Sequence, residues 1–356
     1  MNIDELKTRV GQKRNQFRAN KDKNRHHRAH RKAAWRAINM AMELNGWKLT
    51  EKNKRLADEY AVDVFGGKEY APWLYFFTLF SGEFKEGWIP LNYYSMYVLP
   101  DPSLTRVSMV KTFSKTVIQT DALPDIGYFL NGRFYKKGYV PISLGELQDM
   151  VRESNRAVIV KRDHSLRGMN NHILGPDQIT LETFQNIGNC VIQELIEEHA
   201  FFKNIVDGPA ATIRILTARN LMGEIEFRAS WLKLGRIHQR EYRSNMVVRV
   251  PVIDSFGALS SFCYGGNFQR LSAHPDTGVG FVYKTIPRFA DAVAFCVGLH
   301  TKIPHFPIVG WDVTIDHENE IRLFEWNAGA PHPGIKTVQA AVGPCFSGLG
   351  WEDLWK

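Results

Sequence analysis

Cysteine is scarce in this chain. Its 356 residues hold four, at 190, 263, 296 and 345, and none falls in a CxxC pair. Such scattering excludes a zinc ribbon and a disulfide framework, and it fits a reducing, cytoplasmic setting. Long apolar runs are missing as well. The most apolar window, Tyr70 to Phe80, is far shorter than the roughly 20 residues a membrane-crossing helix needs. No signal-peptide pattern opens the chain, no internal repeat divides it, and no nucleophile elbow or paired Cys–His suggests a covalent intermediate. What is present is ordinary for a globular protein, 44% hydrophobic and 23% charged residues, in a chain long enough for two or three lobes.

The net charge of +8 is unevenly placed. Residues 1 to 36 hold twelve Lys and Arg against Asp4, Glu5 and Asp22, which is +9, so the remaining 320 residues sum to −1. The basicity belongs to an N-terminal arm. After Gly11 this arm lacks Gly and Pro, and it runs into apolar positions at Trp35, Ile38, Met42 and Leu44. The pattern predicts a long helix, polar at first and packed at its end. A solvated surface helix is the plain reading. A polybasic helix also suits a polyanionic substrate, an anionic polysaccharide or the inner membrane face through residues 7–36. Nucleic acid is disfavoured, because no RNP-like or CCHH pattern accompanies it.

Beyond the arm, aromatics crowd residues 60–100, where a packed core is the default. Residues 108–124 read as a helix ending before Pro124, and "SLGELQDMVRES" opens a helix with Ser143 and Glu146 at capping-box spacing. Strands are expected at 157–163 and 190–196, then a hairpin of buried strands over 210–218 and 223–235, then a helix through "IPRFADAVAFCVGLHTKI". The elements alternate without a βαβ rhythm, which predicts an α+β fold. The expected division is a basic arm at 1–50, an aromatic-rich lobe at 51–140, and segments at 141–204 and 205–356.

Chemistry concentrates in "GWDVTIDHENEIRLFEWNAGAPHPG", residues 310–334. Two apolar strands flank the turn at 316–319, so Asp312 can face Glu325 and Asn327, which share a face at period two. Three hard oxygen ligands without sulfur or imidazole suit Mg²⁺, which keeps waters and shares its shell with substrate phosphates. Taken alone, Asp312 is a solvated strand end. Upstream, Lys161 ends the strand "AVIVKRD" ahead of a polar stretch with Ser165, Gly168 and Asn170, which could close over phosphates. A strand-end Lys is ordinarily a surface residue with its stem on apolar neighbours. "CVIQELIEEH" ends an apolar strand in paired acids, Glu197 and Glu198, suited to an adenine edge and a ribose. Arg214, inside the apolar "ATIRILT", calls for an anionic partner. His274 and Asn245 read as structural.

In order and spacing, "VIVKR", "QELIEEH", "TIRILT", "SNMVVRVPVID", "AHPDTG", "TIPRF" and "IVGWDVTID…RLFEWNAG" resemble the ATP-grasp superfamily, and more narrowly its sugar-transfer-associated group, related to α-L-glutamate ligases. The likeness covers about residues 105–350. It implies an ATP-grasp fold, two α+β subdomains clasping Mg-ATP, here with a basic helical extension. It implies that 141–204 is the lid subdomain and 205–356 the catalytic one. By position, Lys161 would contact the α- and β-phosphates and loop 165–171, with Ser165 and Gly168, would cover them. Gln193, Glu194, Leu195 and Ile196 would line the adenine, and Glu197 or Glu198 the ribose. Arg214 would steady the γ-phosphate, Asp312, Glu325 and Asn327 would bind Mg²⁺, and Lys111 or Lys115 would add a phosphate contact. The chain departs from the group's pattern at Met246-Val247-Val248-Arg249, where a His-Ala-Gly-Gly stretch is common, and in a lid loop poor in glycine. The implied activity is an ATP-dependent carboxylate–amine ligase working through an acyl phosphate, its substrates an amino acid or amine and a carboxylate in polysaccharide or sugar-conjugate synthesis. The alternatives are an ATP-dependent kinase of a sugar or polyol, and a non-enzymatic binding protein acting through the arm.

Overall fold

The computed structural model describes residues 3–99, 106–154, 156–165, 171–237, 247–328 and 334–356, with side chains from residue 20 onward apart from Ser154. Two compact units result: residues 1–98 with 339–356, and residues 99–338.

In the first unit the arm is one helix, α1 (Ile3–Asn45). Ala34, Ile38 and Ala41, at spacings of four and three, form its buried stripe. α2 (Glu51–Phe65) begins where Thr50 Oγ1 accepts the Asn53 N–H at 3.2 Å. It ends at Gly66, whose φ of +78° only glycine adopts readily. α3 (Ala71–Ser81) is apolar nearly all round and therefore buried nearly all round. Its Trp73, Phe76 and Phe77 lie in a core with Phe65, Tyr70 and Tyr93, so the aromatics of this region are used in packing. The C-terminal residues join this unit through polar anchors in an apolar setting. Tyr93 Oη donates to Trp351 O at 2.7 Å, and the Gln339 side chain bonds the Ile89 N–H and C=O at 2.8 and 3.0 Å.

The second unit is built on two antiparallel sheets, as the α+β reading expects. The first contains β1 (Asp125–Leu130), β2 (Arg133–Lys136), β3 (Val140–Ile142), β4 (Val158–Arg162), β5 (Asn171–Leu174) and β6 (Cys190–Glu194), in the order β3-β2-β1-β6-β4-β5. The helices Leu144–Ser154 and Leu181–Ile187 cover one face, with Leu147, Val151, Phe184 and Ile187 packed on Phe129, Val158, Val160 and Ile192. The expected capping box at the first of these forms: Glu146 Oε2 accepts the Ser143 N–H at 2.7 Å and Ser143 Oγ accepts the Glu146 N–H at 3.2 Å.

The second sheet holds β7 (Thr212–Arg219), β8 (Ile225–Leu234), β9 (Val248–Pro251), β10 (Cys263–Tyr264), β11 (Arg270–Leu271), β12 (Ile308–Ile315) and β13 (Ile321–Asn327), in the order β11-β10-β9-β8-β7-β12-β13. The helix Phe289–Thr301 packs on its apolar face, where Ile213, Ile215, Leu232, Val250, Trp311, Val313 and Leu323 are buried. Alternation leaves the other face for polar residues.

Two expectations are corrected here. Residues 108–124 do not form one helix but 3₁₀ turns at Arg106–Met109 and Lys111–Phe113 and a short α-helix, Ser114–Ile118. The cause is tertiary: Asp163 accepts the Thr112 N–H at 2.9 Å and its hydroxyl at 2.8 Å, and Met109 O accepts the His164 N–H at 2.8 Å. Those bonds replace the helical ladder. The strand at 190–196 ends at Glu194, because the Glu194 N–H turns to Pro124 O at 2.9 Å.

Candidate active site

The register of the seven-stranded sheet assembles a charged row. Trp231 on β8 pairs with Arg214 on β7, Arg214 with Asp312 on β12, and Asp312 with Glu325 on β13. Directly paired residues in neighbouring strands share a face, so all four point the same way. Asn327, two residues past Glu325, reaches Asp312 Oδ2 with Nδ2 at 3.5 Å. The Asp312 carboxylate is buried at the centre. Arg214 donates to it from two nitrogens, Nε to Oδ1 at 2.7 Å and Nη2 to Oδ2 at 2.6 Å, and Lys233 Nζ lies 2.5 Å from Oδ1. Burial alone would raise the Asp312 carboxyl, yet Arg214 and Lys233 outweigh it and hold it well below the usual carboxylate range. Lys233 is pushed down to about 8 by burial and then by the like charge of Arg214, while Asp312 opposes the shift.

A bulge on β13 adds the link to the other sheet. The pairing steps from Asp312–Glu325 to Val313–Leu323, leaving Phe324 outside the ladder. Its carbonyl accepts Lys161 Nζ, reaching over from β4, at 3.2 Å. Burial lowers Lys161 to about 8, Glu325 pulls it upward and Lys111 pushes it down. On β6, Gln193 shares the face of Lys161, since it pairs with Ile159. Gln193 Nε2 donates to Asp125 Oδ1 at 2.7 Å, and Gln193 Oε1 is buried with no hydrogen-bond partner. An orphaned buried acceptor invites a donor from a ligand.

Several expected site residues sit together and others do not. Asp312, Glu325, Asn327, Arg214 and Lys161 converge. Asp312 is not a solvated strand end: it is the least solvent-accessible member, because three strands and two cations surround it. Ser165 Oγ accepts Lys111 Nζ at 3.0 Å, and Ser165 O accepts it at 2.8 Å, whereas Lys115 pairs with Asp121. Lys111 is therefore the lysine beside Lys161. Gly168 lies outside the described residues, as do Asn170 and Asn245. Leu195 and Ile196 follow the end of β6, Leu195 exposed. The paired acids diverge: Glu197 meets Lys203 at 2.9 Å, while Glu198 is buried and accepts the Ala211 N–H at 2.6 Å. Glu194 is exposed and pairs with Val158, which puts it on the opposite face of β6 from Gln193. His274 is buried, bonded to Gly235 O at 2.9 Å, and serves structure.

The profile of the sugar-transfer associated ATP-grasp family matches residues 178–348. Residues 178–348 belong to the sugar-transfer-associated ATP-grasp family. The match runs from the end of the six-stranded sheet through the whole seven-stranded sheet, so the charged row is family territory. No curated protein matches the chain. Solved structures with similarity include the biotin carboxylase domain of the 2-oxoglutarate carboxylase from Hydrogenobacter thermophilus, at 11% identity over 70% of this chain and 46% of that one, with a TM-score of 0.42. An L-amino acid ligase from Bacillus licheniformis is 10% identical over 67% and 46%, with a TM-score of 0.38. A D-cycloserine synthetase is 12% identical over 71% and 72%, with a TM-score of 0.41. The chain spans about half the length of the first of these.

Two members of this cluster carried weak or no sequence signal. Lys233 lies in the apolar run "ASWLKL", a signal of the same kind as Arg214 in its strand. Asp125, buried and bonded by Gln193 and Tyr128, carried no sequence signal, because its partners come from β6 and from the far end of its own strand.

The donor set fits a hard divalent cation. Among the described residues no cluster of three His, Cys, Asp or Glu exists that would cage a metal unaided. The Glu325 carboxylate and the Asn327 amide oxygen beside it suit an ion that completes its shell with waters and phosphates, next to an Asp312 whose two oxygens are held by Arg214 and Lys233. Nor is any described helix long and apolar enough to cross a membrane.

Proposed function

We propose that this protein is an ATP-dependent carboxylate–amine ligase that forms an amide through an acyl phosphate. The observation that carries the reading is the Arg214–Asp312–Lys233 cluster beside Glu325, with Lys161 drawn in from the facing sheet. A site that joins two buried cations, a third lysine and oxygen ligands for Mg²⁺ is built for phosphoryl transfer, in which the protein chiefly positions groups and neutralises charge.

In this reading Glu325 and Asn327, with Asp312, would hold Mg²⁺, which would supply charge neutralisation to the phosphates of bound ATP. Lys161, aided by Lys111 and the 165–171 loop with Ser165 and Gly168, contacts the α- and β-phosphates. Gln193 to Ile196 line the adenine, and the orphaned Gln193 Oε1 supports this, being an acceptor suited to an exocyclic amine. Arg214 and Lys233 face the γ-phosphate, where the substrate carboxylate attacks phosphorus and ADP departs. An amine then attacks the acyl carbon and expels phosphate. Positioning of the reactants and charge neutralisation by the buried cations together supply the rate. Glu197 or Glu198 holds the ribose in this reading; Lys203 pairs with the first and the Ala211 N–H donates to the second. The acceptor belongs to sugar-conjugate or cell-surface polysaccharide synthesis, and the basic helix steers an anionic polymer or membrane-borne sugar toward the enzyme.

Hydroxylamine trapping tests the reaction. With ATP, Mg²⁺ and a panel of amino acids and uronic acids, a ligase yields ADP and a hydroxamate, and Glu325→Ala abolishes both. ADP release with a phosphorylated sugar and no hydroxamate would instead establish a kinase.

A further inference from the structure

The charged row continues past the atoms the phosphoryl transfer uses. On β8, Lys233 pairs with Arg249 of β9, and Trp231 pairs with Pro251, so Arg249 stands on the same face as Arg214 and Lys233. Lys336, at the start of the helix Ile335–Val342, brings a further cation to Arg249, its ammonium lying 4.6 Å from the centre of the Phe268 ring. Burial and then the charge of Arg249 lower Lys336 to about 8. Asp312 and Glu325 are at the other end, on β12 and β13, and Glu226, further along β8 on this face, pairs with Arg228 at 2.7 Å.

Trp231 lies between the two ends. Its indole is 4% exposed, yet Nε1 has no hydrogen-bond partner. A buried N–H without an acceptor is destabilising, and a ligand oxygen would satisfy it. The ring is fixed in place, with the Arg214 guanidinium 5.8 Å from its centre and Gly334 against its edge. A Cβ on Gly334 would sit 2.1 Å from Trp231 Cη2, so only glycine leaves room for the indole there.

We infer that Trp231, Arg249 and Lys336 form an anion subsite that binds a second oxyanion of the carboxylate substrate. Guanidinium and ammonium groups recognise carboxylate, phosphate and sulfate alike, and the indole N–H adds a fixed donor along the way. From β7 to β9 is two strand spacings, and Arg249 stands two residues along the strand from the level of Arg214, which together make about 12 Å. The substrate is therefore a dianion whose reacting carboxylate and second anion are separated by roughly that length, longer than a simple amino-acid dicarboxylate such as aspartate. This inference rests on the ligase reading for the position of the reacting carboxylate.

The test uses the full chain and defined probes. Suberate, an eight-carbon ω-phosphono-carboxylate and octanoate share one chain length, and the first two carry a second anion. Their KM values are measured by ADP release with hydroxylamine as amine, and their binding without ATP by calorimetry. The expected result is a KM for at least one dianion about tenfold or more below that of octanoate, equivalent to one charge-assisted contact. Arg249→Gln and Lys336→Met should bring that ratio toward one, and Trp231→Phe, which keeps the ring and removes the donor, should lower it several-fold. Whichever dianion shows the larger effect names the oxyanion. Equal KM values for all three in the wild type, or a preference unchanged in Arg249→Gln, overturns the subsite. Dianion binding that requires Arg249, with neither ADP nor hydroxamate formed, upholds the subsite and refutes the ligase reading instead.

Discussion

Replacing Asp312 by alanine should damage folding before it damages chemistry. The carboxylate is 3% exposed, and it neutralises two cations that are themselves 8% exposed, Arg214 and Lys233. Removing one partner of a buried ion pair leaves charge in a poorly solvated place and costs about 3–5 kcal/mol. Here one carboxylate serves two cations, so the upper part of that range is expected, offset in part by the facing Glu325. For a unit spanning residues 99–338, each kcal/mol lowers Tm by roughly 2–4 °C, which gives a fall of about 6–20 °C. The assay is urea unfolding followed by the fluorescence of Trp231, Trp311 and Trp326, which lie in this sheet. Glu325→Ala, at a half-buried position, should cost about 1 kcal/mol or less while abolishing ADP release. Adding Lys233→Met to Asp312→Ala removes one stranded cation and should restore at least about 1 kcal/mol. An Asp312→Ala protein within about 1 kcal/mol of wild type, or one that Lys233→Met does not improve, would refute the reasoning.

Two further outcomes follow from buried titratable groups. Glu198 is raised to about 7 by burial, against the pull of the Ala211 N–H, so the folded protein holds that proton more tightly than the unfolded chain. Folding is then favoured at acid pH, and stability is lost as pH climbs from about 4.5 through 7, by about 3 kcal/mol in all. Glu198→Gln, which keeps an acceptor for Ala211, should flatten this slope in urea titrations at pH 5 and pH 8; an unchanged slope would place the effect elsewhere. Lys161 is lowered to about 8, so its charge is present below that pH and lost above it. The kcat for ADP release should decline as pH rises through about 8, where Lys161 and Lys233 both lose their charge, and Lys161→Met should lose about a hundredfold or more at pH 7. A Lys161→Met enzyme of near-normal rate would remove this lysine from the site.

Local rules made much of the molecule legible in advance. The capping box at Ser143 and Glu146, the long basic helix, the hairpin turn at 316–319 and the facing of Asp312 by Glu325 all follow from periodicity and short-range hydrogen bonding. Arg214 stood out because a charge inside an apolar strand demands a partner. Which partner it takes was beyond one-dimensional reading, since Asp312 is 98 residues away and meets it only through the register of β7 with β12. For the same reason the helix expected over 108–124 breaks: its polar groups find Asp163 and His164, which sequence distance hides. The sequence by itself determined the α+β class, the facing of Asp312 by Glu325 and the lysine at the strand end, because these depend on spacing along one strand or hairpin. Only the tertiary structure decided that Lys233 shares Asp312 and that a bulge frees Phe324 O for Lys161. Only it put Arg249 on the face of Arg214 and Lys233, because strand pairing, not chain proximity, sets which charges meet.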